Sequence, residues 1–244
     1  MMKKTVLAVV TVSMLGLAGC SAVHTAVAKR NLDVQTKMSE TIFLEPAAER
    51  TVYLQIRNTS TEQDLSLEPK LRQALQNKGM TISTNPDTAQ YWIQANVLSV
   101  GKMNLRDAEN TLISGYGAGA FGAAAAAGVV GYNSSSGGAA LGAGLVGALV
   151  GVAADAMVED TNYTMVTDLQ IAEKAPKGVT VTTDNIAMLK QGTSGGKVQT
   201  STAQGDRHKY QTRVVSNANQ VNLEFKDAKT ALEDQLSKSV AGIF

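Results

Sequence analysis

Two glycine spacings in this 244-residue chain have the form that holds a phosphate. Gly117, Gly119 and Gly122, and again Gly142, Gly144 and Gly147, fit G-x-G-x-x-G, in which a tight turn brings backbone N–H groups against a dinucleotide's pyrophosphate. That chemistry also needs a strand before the turn, a helix after it, and an acid roughly 20 residues on for the ribose hydroxyl. Neither match supplies them: the sequence around both is nearly all Gly, Ala, Val and Ser, and the next acid is Asp155. Gly195–Val198 (GGKV) fails as a phosphate loop too, lacking the first glycine, at Gln191, and the closing Ser or Thr. The histidines, His24 and His208, have no partner at metal-ligand spacing, and no G-x-S-x-G or H-E-x-x-H occurs. Asp33, Asp64, Glu109, Asp155, Glu159 and Asp160 are scattered or stand at segment boundaries rather than in a catalytic pair. The expectation is a non-enzyme with no metal and no dissociable cofactor.

One residue does carry chemistry. Cys20 is the chain's only cysteine. It follows a charged start (Lys3, Lys4), an apolar run from Thr5 to Leu17 too short to span a membrane comfortably, and the small residues of "LAGC". This is an export signal, and it resembles the lipobox of bacterial lipoproteins. There the thiol is acylated, the chain is cut before it, and the new N-terminus is acylated, leaving S-diacylglycerol and N-acyl (palmitate-type) lipid on Cys20. More than one acyl chain gives firm anchoring where a single one is marginal. Ser21, in place of Asp, matches the sorting rule for the outer membrane. A lone cysteine leaves no disulfide within the chain and no thiolate for metal or catalysis. Without Lys3 and Lys4, 20 basic residues face 21 acidic ones, so nothing suggests nucleic acid as a partner.

The elements that must present this anchor are legible along the chain. Residues 1–19 are the signal peptide and 20–46 a lipid-anchored arm, a tether and then a short helix or extended segment ending at Pro46. Arg50 to Ser60 alternates Val52, Leu54 and Ile56 with polar residues, a half-buried strand. An amphipathic helix follows, with Pro69 in its first turn, Leu67, Leu71, Ala74 and Leu75 on one face, and Gly79 at its close. "MTIST" and "AQYWIQANVLSVGKMN" read as strands around the turn "NPD", which makes a β-α-β-β unit. Beyond Asp155 the alternation returns in three stretches, with "QGD" a turn between the last two strands, and a helix bearing Phe225, Ala228, Leu232, Leu236 and Val240 on one face ends the chain.

Between these halves, residues 110–154 carry no charge and hold 12 of the 22 glycines. "NSSSGG" divides them into arms Thr111 to Tyr132 and Ala139 to Ala154, about 33 and 24 Å long if helical. Uncharged backbone in lipid must satisfy its own hydrogen bonds, which points to a helical hairpin in the membrane. Gly115 and Gly119, Gly138 and Gly142, and Gly147 and Gly151 are spaced small-xxx-small, with Gly144 and Ala148 in the same rows, so that helices can pack closely. Such a pair has more small faces than it can bury alone, and a homo-oligomer in outer-membrane lipid is expected. The predicted fold class is therefore α+β: an antiparallel or mixed sheet body with flanking helices (47–109 and 155–244), interrupted by a Gly/Ala-rich transmembrane helical hairpin (110–154).

"LAGCSAVHTAVAKRNLDVQTKMSETIFLEP", the Gly/Ala insert from Gly115 to Ala153, and the C-terminal "DQLSKSVAGIF" together closely resemble the TraT family, surface-exclusion and complement-resistance lipoproteins of conjugative plasmids. The resemblance covers essentially the whole chain. It implies an oligomeric, surface-exposed outer-membrane lipoprotein that keeps its host cell from accepting a related plasmid, by interfering with stable donor contact, and that reduces killing by serum complement. The partner engaged would be the donor pilus tip or an outer-membrane protein of the recipient. The alternative reading is an oligomeric outer-membrane channel or secretion-associated lipoprotein, against which stands the scarcity of lumen-type polar residues in the arms. Asn58 to Asp64 and Gln191 to Lys197 are the candidate recognition loops.

Overall fold

The computed structural model describes residues 27–117, 159–191 and 195–244. Eight strands and three helices follow one another along these segments. They are β1 (Asp33–Met38), β2 (Thr51–Asn58), α1 (Leu67–Asn77), β3 (Thr81–Ser83), β4 (Tyr91–Lys102), α2 (Leu105–Ser114), β5 (Asp160–Lys174), β6 (Val181–Gln191), β7 (Gly195–Gly205), β8 (Arg207–Val221) and α3 (Phe225–Ala241). Six of the strands form one mixed sheet in the order β1-β8-β5-β4-β2-β3, and among the described residues β6 pairs with β7 alone. β2 runs parallel to β3 and β4, while the remaining contacts of the sheet are antiparallel.

Alternation decides what each face of the sheet does. On one face Val52, Leu54, Ile93, Ala95, Leu169, Ile171 and Val214 join a single apolar core with Leu71 and Leu75 of α1 and Leu232 and Leu236 of α3. Fully burying a Leu or Ile contributes about 1.5–3 kcal/mol relative to exposure, so this face holds the body together. A β-bulge at Leu98 shifts the β4–β5 register between Val97 and Ser99. Val97 and Val100 therefore both reach that core, although their spacing would put them on opposite faces of a regular strand. The two helices are also tied electrostatically: Lys70 lies 3.0 Å from Glu233 and 2.8 Å from Asp234. Buried Glu233 accepts the Ser66 N–H at 2.6 Å, a carboxylate at the N-terminal end of α1.

α2 is the only one of the three helices on the other face. Asn104 caps it by accepting the Asp107 N–H at 2.8 Å, and Ala108 and Leu112 pack on Val166, Val215, Met103 and Leu98.

The predicted fold class needs correction. The body is mostly β-sheet with three helices, and no helix among the described residues is long and apolar enough to cross a membrane. The expected first arm, a continuous helix from Thr111, is interrupted after its fourth residue. Thr111 to Ser114 complete α2, Thr111 fully buried against the sheet. Gly115 then takes φ 72° and Gly117 φ 73°, left-handed values that end a right-handed helix. Charge and glycine content reported the composition of this stretch but not the cap that stops it. Residues 118–158, holding the rest of the expected hairpin, lie outside the described residues. The stretch read as a short helix or an extended segment holds an edge strand, β1, Asp33–Met38, paired with β8.

Candidate functional site

The body is most elaborated where the chain leaves it for residue 118. Asp168 on β5 and Arg213 on β8 face each other in register. Arg213 Nε donates to Asp168 Oδ1 at 2.7 Å and Nη2 donates to Oδ2 at 3.1 Å, a two-pronged pair whose arginine side chain has no solvent exposure. Arg213 Nη1 also donates to Ser114 Oγ at 2.9 Å, and that hydroxyl donates to the Thr111 carbonyl at 2.7 Å. The Gly117 N–H donates to Asp168 Oδ2 at 3.0 Å. One buried ion pair thus fixes the last turn of α2 and the two glycines after it. The chain comes back at Glu159, where Glu159 and Asn222 exchange hydrogen bonds of 2.8 Å and Lys102 pairs with Glu159 at 3.0 Å. Exit and return are separated by the β5 stretch from Asp168 to Asp160, about 27 Å at strand rise.

Next to this junction the polar face of the sheet is ordered in rows. Gln211, Gln170, Gln94 and Gln55 are register partners across β8, β5, β4 and β2. Their amides are chained: Gln211 donates to Gln170 at 2.8 Å, Gln170 to Gln94 at 2.6 Å, and Gln94 to Gln55 at 2.6 Å. Arg213, Asp168, Asn96 and Arg57 form the row on one side, and Lys209, Ala172, Trp92 and Tyr53 the row on the other. Tyr116 stands at the rim, its phenol shifted upward by burial and by the nearby Asp168 carboxylate, with a hydrogen bond involving Gln211 acting in the opposite sense. A shallow basin of about 280 Å³ lies over this face. The third row is half sealed: the Arg207 guanidinium covers the Trp92 ring at 4.6 Å and donates to the carbonyls of Pro86, Ala89 and Gln90.

At the opposite end of β5, buried Glu173 accepts the Tyr210 hydroxyl and the Glu45 N–H, both at 3.1 Å. Burial raises the Tyr210 phenol, and the bond to Glu173 raises it further. Among the described residues no group of His, Cys, Asp or Glu could hold a metal ion. His208 is exposed.

Of the small residues expected at packing faces, Gly115 is among the described residues. It is the residue at which α2 stops, and a Cβ there would meet nothing within 4 Å. Cys20, Gly119, Gly138, Gly142, Gly144, Gly147, Ala148 and Gly151 lie outside the described residues, as do Gly122 and His24. Sequence reasoning missed Asp168, Arg213 and the glutamine row. A signal was present: Q-I-R, Q-A-N, D-L-Q and Q-T-R put a glutamine two residues from a charged or amide residue in each of the four strands.

A family model described as Enterobacterial TraT complement resistance protein matches residues 31–244, nearly the whole of the described body. The chain belongs to the TraT family. A TraT complement resistance protein from Escherichia coli is 60% identical over 99% of this chain and 99% of its own length, and one from strain K12 is 59% identical over 99% and 98%. A TraT complement resistance protein from Wigglesworthia glossinidia brevipalpis is 30% identical over 98% of this chain and 95% of its own length. These TraT relatives are named for complement resistance and not for catalysis. A solved PelC dodecamer from Paraburkholderia phytofirmans aligns over 86% of this chain and 98% of its own at 10% identity and a TM-score of 0.29, too slight a likeness to carry an argument.

Proposed function

We propose that this TraT-family chain is an outer-membrane lipoprotein, anchored through acyl chains on Cys20, that works as a homo-oligomer at the cell surface. There it lowers killing by serum complement and excludes donor cells carrying related plasmids. The observation that carries the reading is relatedness over nearly the full length to proteins named for complement resistance. The "LAGC" segment supports the anchor, because several acyl chains on one residue hold a protein firmly to a bilayer. In this reading exclusion is steric: the body covers, or binds, the component through which a donor makes stable contact, either the pilus tip or an outer-membrane protein of the recipient.

The test is made in cells expressing the full chain or its Cys20→Ser form, with surface abundance measured for each. Serum survival and plasmid uptake from a donor are then scored in parallel. The reading expects higher survival and a large drop in uptake with the full chain, both lost with Cys20→Ser. Equal survival and equal uptake, with the full chain shown to be at the surface, would overturn it.

A further inference from the structure

We infer that the glutamine-bearing face of the sheet is a binding site for an acidic sugar chain, seated in the basin between the amide row and the Tyr116–Gly117 turn. Each carboxamide of the row uses one N–H and one oxygen lone pair on its neighbour, or only one of these at the ends, and so keeps at least one donor and one acceptor for a ligand. An apolar partner laid on this row would strip water from those groups and return no hydrogen bond, a loss for each one covered. A polyol returns one at every hydroxyl, since each hydroxyl both donates and accepts. Strand spacing sets the four amides about 4.8 Å apart. The row is therefore a regular template for a repeating hydroxylated ligand.

Charge selects among such ligands. The Asp168 carboxylate faces the basin, and it is occupied by Arg213 and by the Gly117 N–H. Arg57 lines the same basin, is exposed, and forms no ion pair among the described residues. Exposed Lys209 stands at the diagonally opposite corner of the three rows. A neutralised carboxylate with cations at two corners favours a carboxylate or phosphate on the sugar, with Arg57 as its partner. Tyr116, 39% exposed at the rim, offers a ring to a sugar's C–H face, a role denied to Trp92 by the guanidinium already over it.

Trp92 is the chain's only tryptophan and sits in the row beside the glutamines, so its emission reports on this face. The full chain, purified in detergent, is titrated with a hyaluronan-derived octasaccharide, whose charges are all carboxylates, with maltooctaose and with inorganic phosphate. A saturable Trp92 response to the acidic octasaccharide is expected, with maltooctaose and phosphate each at least tenfold weaker. Arg57→Gln should remove the preference for the acidic chain. Gln55→Leu, at the open end of the row and without change of charge, should weaken both octasaccharides about tenfold at unchanged Tm; Gln211→Leu serves if that variant fails to fold. The inference is overturned if neither octasaccharide gives a saturable response, if phosphate matches the acidic octasaccharide, or if Gln55→Leu leaves binding unchanged. It is overturned equally if Gln55→Leu alters only the subunit count in native mass spectrometry, which would make the face a contact between copies.

Discussion

Arg213 and Asp168, partners across β8 and β5, meet through two hydrogen bonds of 2.7 and 3.1 Å, with the guanidinium wholly out of solvent and shared with Ser114. Removing one member of such a pair leaves the other buried and uncompensated. Arg213→Met should therefore lower the unfolding free energy by about 3–5 kcal/mol. Urea denaturation checks the size, and limited proteolysis should show new cleavage near Ser114. A double change to Arg213→Met and Asp168→Leu should recover much of the loss, because no orphaned charge remains. If the single variant costs under about 1 kcal/mol, the pair does not hold the junction.

Gly115 has φ 72° and ψ −179°, a region that is essentially restricted to glycine. Gly115→Ala should cost roughly 1–3 kcal/mol through backbone strain alone, since the added Cβ meets nothing within 4 Å. Gly101→Ala, where the Cβ is equally free and φ is not left-handed, is the control and should be neutral or slightly stabilising. Equal thermal midpoints for the two variants would contradict this account.

Leu232 of α3 has no exposure and lies at the centre of the core formed with α1 and the sheet. Leu232→Ala should destabilise by about 2–5 kcal/mol, measured as a shift in urea midpoint at constant slope. A smaller loss would mean that α3 packs less tightly on the sheet than its burial indicates.

Stability should fall on the alkaline side. Burial raises the phenols of Tyr91 and Tyr210, reinforced by Glu173, and that of Tyr116, reinforced by Asp168. For Lys70 burial works downward, and the hydrogen bonds to Asp234 and Glu233 outweigh it. In every case the folded state holds its proton to higher pH than the unfolded chain does. Stability from these groups is complete below about pH 10 and is lost as pH rises through their raised values. Urea unfolding at about pH 9 and about pH 11 gives the slope. Tyr210→Phe and Lys70→Met should each flatten it, and an unchanged slope in both would exclude these groups as its source.

The β6–β7 pair makes an eleven-residue ladder that joins no other strand among the described residues, with Ile186 and Val198 exposed. An isolated two-stranded ribbon is marginal in water. Its amides should exchange with deuterium far faster than those of the central β5–β8 ladder under the same conditions. Protection equal to that of β5 would indicate that something covers the ribbon in solution.

The sequence made the core-forming half of the fold legible and left the junction obscure. Alternation located β2, β4 and β5, and the faces read for the helices at 67–77 and 225–241 are the ones that pack. Composition failed where geometry took over. A run without charges resembled a membrane segment from Thr111, yet a single left-handed residue, Gly115, and a capped amphipathic turn before it assign Thr111 to the body. β1 was hidden because an edge strand buries little on either side: "DVQTKM" carries only two apolar residues. The glutamine row was hidden for a related reason. Alternation marks which positions are polar, while only strand order and register reveal that Gln55, Gln94, Gln170 and Gln211 line up.

The pairing of β1 with β8 also has a mechanical meaning. β1 begins at Asp33 opposite Asn219 and runs inward to Met38 opposite Val214, and just before it the Lys29 carbonyl holds the Val221 N–H. A pull on the chain ahead of Val27 that is directed along the axis of β1 loads this ladder lengthwise rather than across it. The six residue pairs of that ladder take the load together in shear, instead of opening one after another as a zip would. A load along that axis would meet β1 in the direction in which a hydrogen-bonded ladder yields last.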